Sequence, residues 1–177
     1  MKSKIALLRG INVGGKNSLP MKELVEIFCS LNCENIQTYI QSGNVVFESR
    51  KKWGEKEAAE LREKIASKKG FAPNIVTLSE GELLKAIRQN PFPTVDGRAL
   101  HYFFLDSKPK QPNLARLANL KAASEEFALI ERVFYLSAPN GIGRSKLAPA
   151  VESAMGVSAT ARNSNTVEKL ASMLRKA

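Results

Sequence analysis

Gly10 and Gly15, five residues apart with Lys16 directly after, sit inside the stretch LLRGINVGGKNSLPMKEL. The spacing is one residue short of the loop that cradles a nucleoside triphosphate. There, glycines expose backbone N–H groups and the lysine reaches the outer phosphates. Asn17 stands where a Ser or Thr hydroxyl would ligand magnesium, and Ser18 comes one position late. Pro20 sets the helix start several residues beyond Lys16, whereas a phosphate loop needs its lysine at the helix start. Tyr102–Asp106 imitates the apolar strand and aspartate that complete such a site, yet apolar strands ending in Asp are common. The sequence therefore predicts a tight turn or a looser anion site built from Arg9, Asn12, Gly14, Gly15 and Lys16, in place of a magnesium–triphosphate site.

Three further stretches have the same character. Gln41-Ser42-Gly43-Asn44 carries more hydrogen-bonding groups than a turn requires, although positive φ at Gly43 and Asn44 would account for it as a turn. Gly141 to Lys146 again sets glycines and cations before an expected helix. In that loop Gly143 permits close approach, Ser145 offers a donor, Lys146 adds charge, and Arg144 can grip phosphate or carboxylate at two points. In Ala161–Thr166, Asn163 or Asn165 is suited to cap the last helix, and Arg162 beside that N-terminus favours an anion.

Proton transfer is poorly provided for. His101 is the only histidine and falls at the start of an expected strand, where a structural role is the simpler one. Asp96 and Asp106 are the only aspartates, and most glutamates fall on exposed helix faces. Cys29 and Cys33 lack a second pair of ligands, so no zinc site is expected, and no cofactor. The Arg, Lys, Asn, Gln, Ser and Thr side chains of the four loops bind and orient more than they move protons.

These loops need elements to position them. Lys4–Leu8 reads as a buried strand, and Met21, Leu24, Val25, Phe28 and Leu31 recur at helical spacing. TYIQSGNVVFES reads as a hairpin, Glu55–Lys69 as a helix with the stripe Ala58, Leu61 and Ile65, and Asn74–Leu78 as a strand. Ser79 caps a short helix through Gln89, ended by Pro91-Phe92-Pro93. The order then repeats: strand Leu100–Leu105, helix Asn113–Leu120, hairpin FALIERVFYLSA, helix Arg144–Met155 with Leu147, Val151 and Met155 inward, and strand Val157–Thr160. A last helix carries Val167, Leu170 and Leu174. This predicts an α+β chain of two tandem ferredoxin-like (β-α-β-β-α-β) subdomains, 1–78 and 100–177, joined by a connector helix and Pro-rich linker over 79–99. Two hairpins in so short a chain leave little room for the parallel sheet of a phosphate-loop triphosphatase.

The chain has 177 residues, and its 44% hydrophobic and 25% charged content is that of a globular protein. The longest apolar runs are far too short to span a bilayer, and MKSKIALLRG has no signal-peptide core, so a cytoplasmic protein with reduced thiols and no membrane partner is expected. Net charge is +10, with 15 basic and 10 acidic side chains in residues 1–88 and 12 and 7 in residues 89–177, so the excess is not a basic tail. Such charge favours polyanions without requiring one. Phe47, Phe103, Phe104, Phe134 and Tyr135 fall in strands where core packing accounts for most of them, so no sequence-specific RNA reader is expected.

Taken together, LLRGINVGGKN, TYIQSGNVVFES, GIGRSKLA and ATARNSNT resemble a bacterial family catalogued only as a domain of unknown function. The resemblance spans nearly the whole chain. No one stretch is specific, but the combination is, while Lys51–Ala99 carries little that is diagnostic. The resemblance implies two related α+β subdomains and no activity, substrate or cofactor. The leading reading is a protein that binds a phosphorylated small molecule or nucleic acid through these loops. An enzyme acting on a small phosphorylated or acidic metabolite, with Gln41, Asn44 and Asn163 orienting it, is the alternative. A third is an interaction module whose polar loops only hold its halves together.

Overall fold

The computed structural model describes residues 1–174. β1 (Lys2–Arg9) carries the fully buried run Ile5–Leu8 and lies at the centre of the first sheet. β3 (Asn44–Ser49) and β4 (Asn74–Ser79) flank it, both antiparallel, and β2 (Glu34–Tyr39) forms the edge, giving the order β2-β3-β1-β4. α1 (Met21–Ser30) and α2 (Glu55–Lys69) lay Leu24, Phe28, Leu61 and Ile65 on the face that Ala6, Leu8, Val45 and Phe47 present. The bounds of α2 follow from its ends. The Glu57 carboxylate accepts from the Gly54 N–H at 3.0 Å, and Gly70 stops the helix at φ 77°.

The second sheet repeats the order. β5 (Leu100–Leu105) is central, flanked by β7 (Val133–Ser137) and β8 (Ala159–Asn163), with β6 (Glu126–Ile130) at the edge. α4 (Leu114–Leu120) and α5 (Val151–Met155) cover the face of Phe103, Leu105, Phe134 and Leu136. Asn113 caps α4, its side-chain oxygen accepting from the Arg116 N–H. The chain is thus α+β, with two tandem β-α-β-β-α-β subdomains.

An antiparallel sheet often leaves one face to water. Here Ile5, Leu7, Val46 and Val76 in the first sheet, and Tyr102, Phe104 and Tyr135 in the second, are buried on the face away from those helices. The strand aromatics therefore form no exposed stacking platform. Two more helices supply apolar side chains, α3 (Glu80–Gln89) and α6 (Ser164–Leu174). α3 starts on a reciprocal cap: Ser79 Oγ accepts from the Glu82 N–H at 3.2 Å, and the Glu82 carboxylate accepts from the Ser79 N–H at 2.8 Å. The chain groups into two compact units. One is Met1–Leu84 together with the residues from Lys169 onward, the other Lys85–Glu168. α3 and α6 each begin in one unit and end in the other. Within the second unit the Tyr135 hydroxyl donates to the Ala86 carbonyl at 2.8 Å, and within the first the Lys169 ammonium stands 5.9 Å from the Tyr39 ring centre.

One expected helix is not continuous. In place of Arg144–Met155 there are 3-10 turns at Ile142–Arg144 and Ala148–Ala150, and α5 is only Val151–Met155. Pro149 explains the break, because it has no N–H to give and its ring crowds the preceding turn. Leu147, Val151 and Met155 are still buried. β8 also lies later than expected, at Ala159–Asn163.

The two thiols differ in environment. Cys29 is exposed, while Cys33 is buried, and burial, with Cys29 nearby, pushes its thiol from the ordinary 9.0 up to about 12. A thiol reagent at neutral to mildly alkaline pH should therefore titrate one cysteine in the folded protein and two in urea. Because the folded form keeps this proton longer, its contribution to stability is complete below pH 9 and falls away as the pH rises towards 12. Cys33→Ala should flatten that part of the alkaline unfolding curve. Equal reactivity of both thiols in the folded protein would contradict the burial of Cys33.

Candidate functional site

The glycine loop after β1 is a closed miniature hairpin. Val13 and Lys16 form an isolated antiparallel bridge, and the Lys16 N–H donates to the Val13 carbonyl at 3.0 Å. Gly14 (φ 57°) and Gly15 (φ 74°) form its tip, the left-handed pair that a tight two-residue turn demands. One rung below, the Asn12 N–H donates to the Asn17 carbonyl at 3.1 Å, and Asn17 Nδ2 donates to the Gly10 carbonyl at 2.8 Å. A phosphate cradle needs a nest of outward N–H groups. In this loop those of Asn12, Lys16 and Leu19 are engaged internally.

Asn12 is the pin of this end of the sheet. It adopts φ 53°, accepts from the Leu19 N–H at 2.7 Å, and donates to the carbonyls of Leu19 at 2.9 Å and Gln41 at 2.8 Å. The first and second marked loops are therefore brought together. Gly43 closes the contact, its carbonyl accepting from the Leu8 N–H at 2.8 Å. The left-handed residues of this second loop are Ile40 (φ 50°) and Gly43 (φ 73°). Asn44 is instead the first residue of β3, buried, with Nδ2 donating to Ser42 Oγ at 2.8 Å and the Tyr39 carbonyl at 3.1 Å. Arg9, Lys16 and Gln41 lie at the surface.

In the second unit, Ser145 Oγ accepts from the Ala148 N–H at 3.0 Å, which turns the side chain inward to 9% exposure. Gly143, Arg144 and Lys146 around it are exposed. Asn163 ends β8 and caps α6, with Oδ1 accepting from the Thr166 N–H at 3.0 Å. Asn165 is exposed and lies so close to Gly97 that a methyl group there would run into its carboxamide. Arg162 sits mid-strand opposite Tyr102, partly buried, and donates to the Ala161 carbonyl at 2.8 Å. Burial lowers its guanidinium to about 10, which leaves it cationic at neutral pH. His101 is buried, and burial lowers its pKa below the ordinary histidine value, so it stays neutral there. Among the described residues no cluster of three or more His, Cys, Asp or Glu side chains could hold a metal, and no helix is long and apolar enough to cross a membrane.

The marked loops use inequivalent ends of equivalent sheets. In the first unit they gather where β1 ends, with Asn44 paired to Leu7. In the second they leave where β5 begins, with Ser137 paired to Leu100 and Asn163 to His101. The end of the first sheet that matches the second unit's loops holds side chains that sequence reasoning passed over: Lys2, Lys4, Arg50, Lys51 and Lys52 line one hollow of about 630 Å³. The signal was present in two lysines at strand spacing and a basic run closing the neighbouring strand. Only the register between β1 and β3 joins them.

A family model described as protein of unknown function (DUF1697) matches residues 1–135. The third and fourth marked stretches lie beyond the matched residues. No curated protein matches the chain. Among solved structures it is similar to the conserved bacterial protein SP0830 from Streptococcus pneumoniae, with 23% sequence identity, a TM-score of 0.73 and 98% of each chain covered. At that identity the likeness establishes the fold.

Proposed function

The chain belongs to this family of unknown function, and from that premise we propose that it binds a phosphate-bearing ligand, nucleic acid included, through the cationic loop at the end of β7. The observation that carries the reading is the inward turn of Ser145. Holding its hydroxyl on the Ala148 N–H leaves Arg144 and Lys146, on either side, directed to solvent on a short glycine-flanked turn. Arginine offers a planar two-point grip and lysine a compact charge, and neither has to leave a carboxylate partner among the described residues. The net charge of +10 supports the same reading. Asn12, Asn44, Ser145 and Asn163 serve the architecture of their own loops, so ligand contact falls to the cations.

Fluorescence anisotropy with a labelled single-stranded oligonucleotide, at about 50 and about 150 mM salt, tests this. Arg144→Ala with Lys146→Ala should weaken binding and reduce the slope of log K against log salt by about 1.4, since each lost phosphate contact on a single strand removes about 0.7. Competition by pyrophosphate would identify a small phosphorylated ligand as the better fit. An unchanged slope in the double variant would remove this loop from the site.

A further inference from the structure

We propose that the hollow where β1 begins and β3 ends is a separate site for the sugar–phosphate backbone of single-stranded nucleic acid. It stands on different residues in the other unit, so it and the loop reading can fail independently.

The hollow follows from strand register. β1 and β3 run antiparallel with Lys2 opposite Ser49 and Lys4 opposite Phe47, so the start of one strand meets the end of the other. Lys2 and Lys4, two residues apart, continue the face on which Ala6 and Leu8 are buried. Ser49 Oγ accepts from the Lys51 N–H at 3.1 Å, a turn that brings Arg50, Lys51 and Lys52 round beside them. Five cations thus line about 630 Å³, and no carboxylate is in the wall.

The charges there are uncompensated, in contrast to three lysines elsewhere in the chain. Lys68 is 3.1 Å from Glu26, Lys69 is 3.1 Å from Glu23, and Lys85 is 2.9 Å from Glu131. None of the five in the hollow has a carboxylate partner among the described residues. Like charges gathered in a concave wall repel one another and focus a positive potential outward. An anion relieves the first effect and is attracted by the second.

The shape selects the class of anion. A second hollow of about 290 Å³ shares Lys2 and Lys4 and is lined further by Ser79, Glu80 and Gly81. The Glu80 carboxylate sets a limit to the cationic wall on that side. A strand carries its phosphates at regular intervals, so it can lay one in the hollow and continue past its mouth, which a small polyphosphate does not. A flat bilayer surface does not enter a concavity. With the strand aromatics buried, contact is through charge, without reading of bases.

The test uses the full chain and two labelled oligonucleotides of equal length, one all thymine and one all adenine. Lys51→Ala with Lys52→Ala, and separately Lys2→Ala with Lys4→Ala, should each weaken both by about tenfold near 150 mM salt and cut the salt slope by about 1.4. Circular dichroism checks that each variant folds. Should the β1 pair unfold, the Lys51 and Lys52 pair, which lies outside the strands, decides alone. Binding that persists in the Arg144→Ala, Lys146→Ala variant and is lost on adding Lys51→Ala and Lys52→Ala supports the hollow even if the loop reading fails. Unchanged affinity and slope in the Lys51 and Lys52 pair overturns it. Complete displacement by pyrophosphate at equal phosphate concentration also overturns it, by assigning the hollow to a small anion.

Discussion

Gly43→Ala is expected to lower the stability of the folded chain by about 3 kcal/mol, combining a left-handed backbone penalty with overpacking. Gly43 holds φ 73°, a region in which an added Cβ crowds its own backbone. That Cβ would also stand 2.6 Å from Leu8 Cβ and 2.9 Å from Ile11 Cδ1. Neither neighbour can yield. Leu8 and Ile11 are both buried, and the Leu8 N–H is held by the Gly43 carbonyl at 2.8 Å. The tip of the glycine hairpin provides the control. Gly14 and Gly15 are also left-handed, but nothing lies within 4 Å of a Cβ built on either. Gly14→Ala should thus cost only about 1 kcal/mol. Urea unfolding separates the two through their midpoints, and equal midpoints would show that the joint between the first two loops is looser than described.

Phe47→Ala is expected to remove about 4 kcal/mol, within the range for deleting a buried aromatic. Phe47 is fully buried in β3, with the Phe28 ring centre at 4.9 Å and the Trp53 ring centre at 4.5 Å in an edge-on arrangement. Phe28 and Trp53 stack on each other at 5.7 Å. Removing one member of this mutually packed trio leaves a hole bounded by two large rings that cannot both move into it. For a chain of this length the melting temperature should fall by about 12 °C. Trp53 is the only tryptophan, so the same variant should shift emission to the red as its ring meets water. A fall of less than about 3 °C would mean that the site collapses around the loss.

Much of the fold was legible because local signals and tertiary packing agree. Glu55–Lys69 and Leu100–Leu105 have the bounds expected of them, one set by its caps and the other by an unbroken apolar run. The helix expected from Arg144 misled for a definite reason. Leu147, Val151 and Met155 keep helical spacing and are buried, but Pro149 lies between the first two and breaks the ladder. In the Gln41–Asn44 loop, composition pointed to Asn44 for the turn, whereas Ile40 takes the positive φ because the Asn44 side chain is drawn under the turn to Ser42 and Tyr39.

The site was less legible than the fold, since its residue types were visible and their partners were not. Nothing local to Asn12 indicates that its carboxamide reaches the Gln41 carbonyl, and so ties two loops instead of facing a ligand. The basic hollow depends on a pairing between residues 2–4 and 47–49, which composition does not reveal.

The two helices shared between the units set an order of events during synthesis. The chain enters the second unit along α3 and returns along α6, so Lys85–Glu168 is one continuous stretch and the first unit is not. On the ribosome the second unit has its full complement of residues while the first still lacks Lys169–Leu174. Among the missing residues are Leu170, Ala171 and Leu174, all buried in the finished fold. The unit made first therefore depends on the residues made last, and a chain cut after Glu168 would keep every residue of the second unit while the first is short of part of its core.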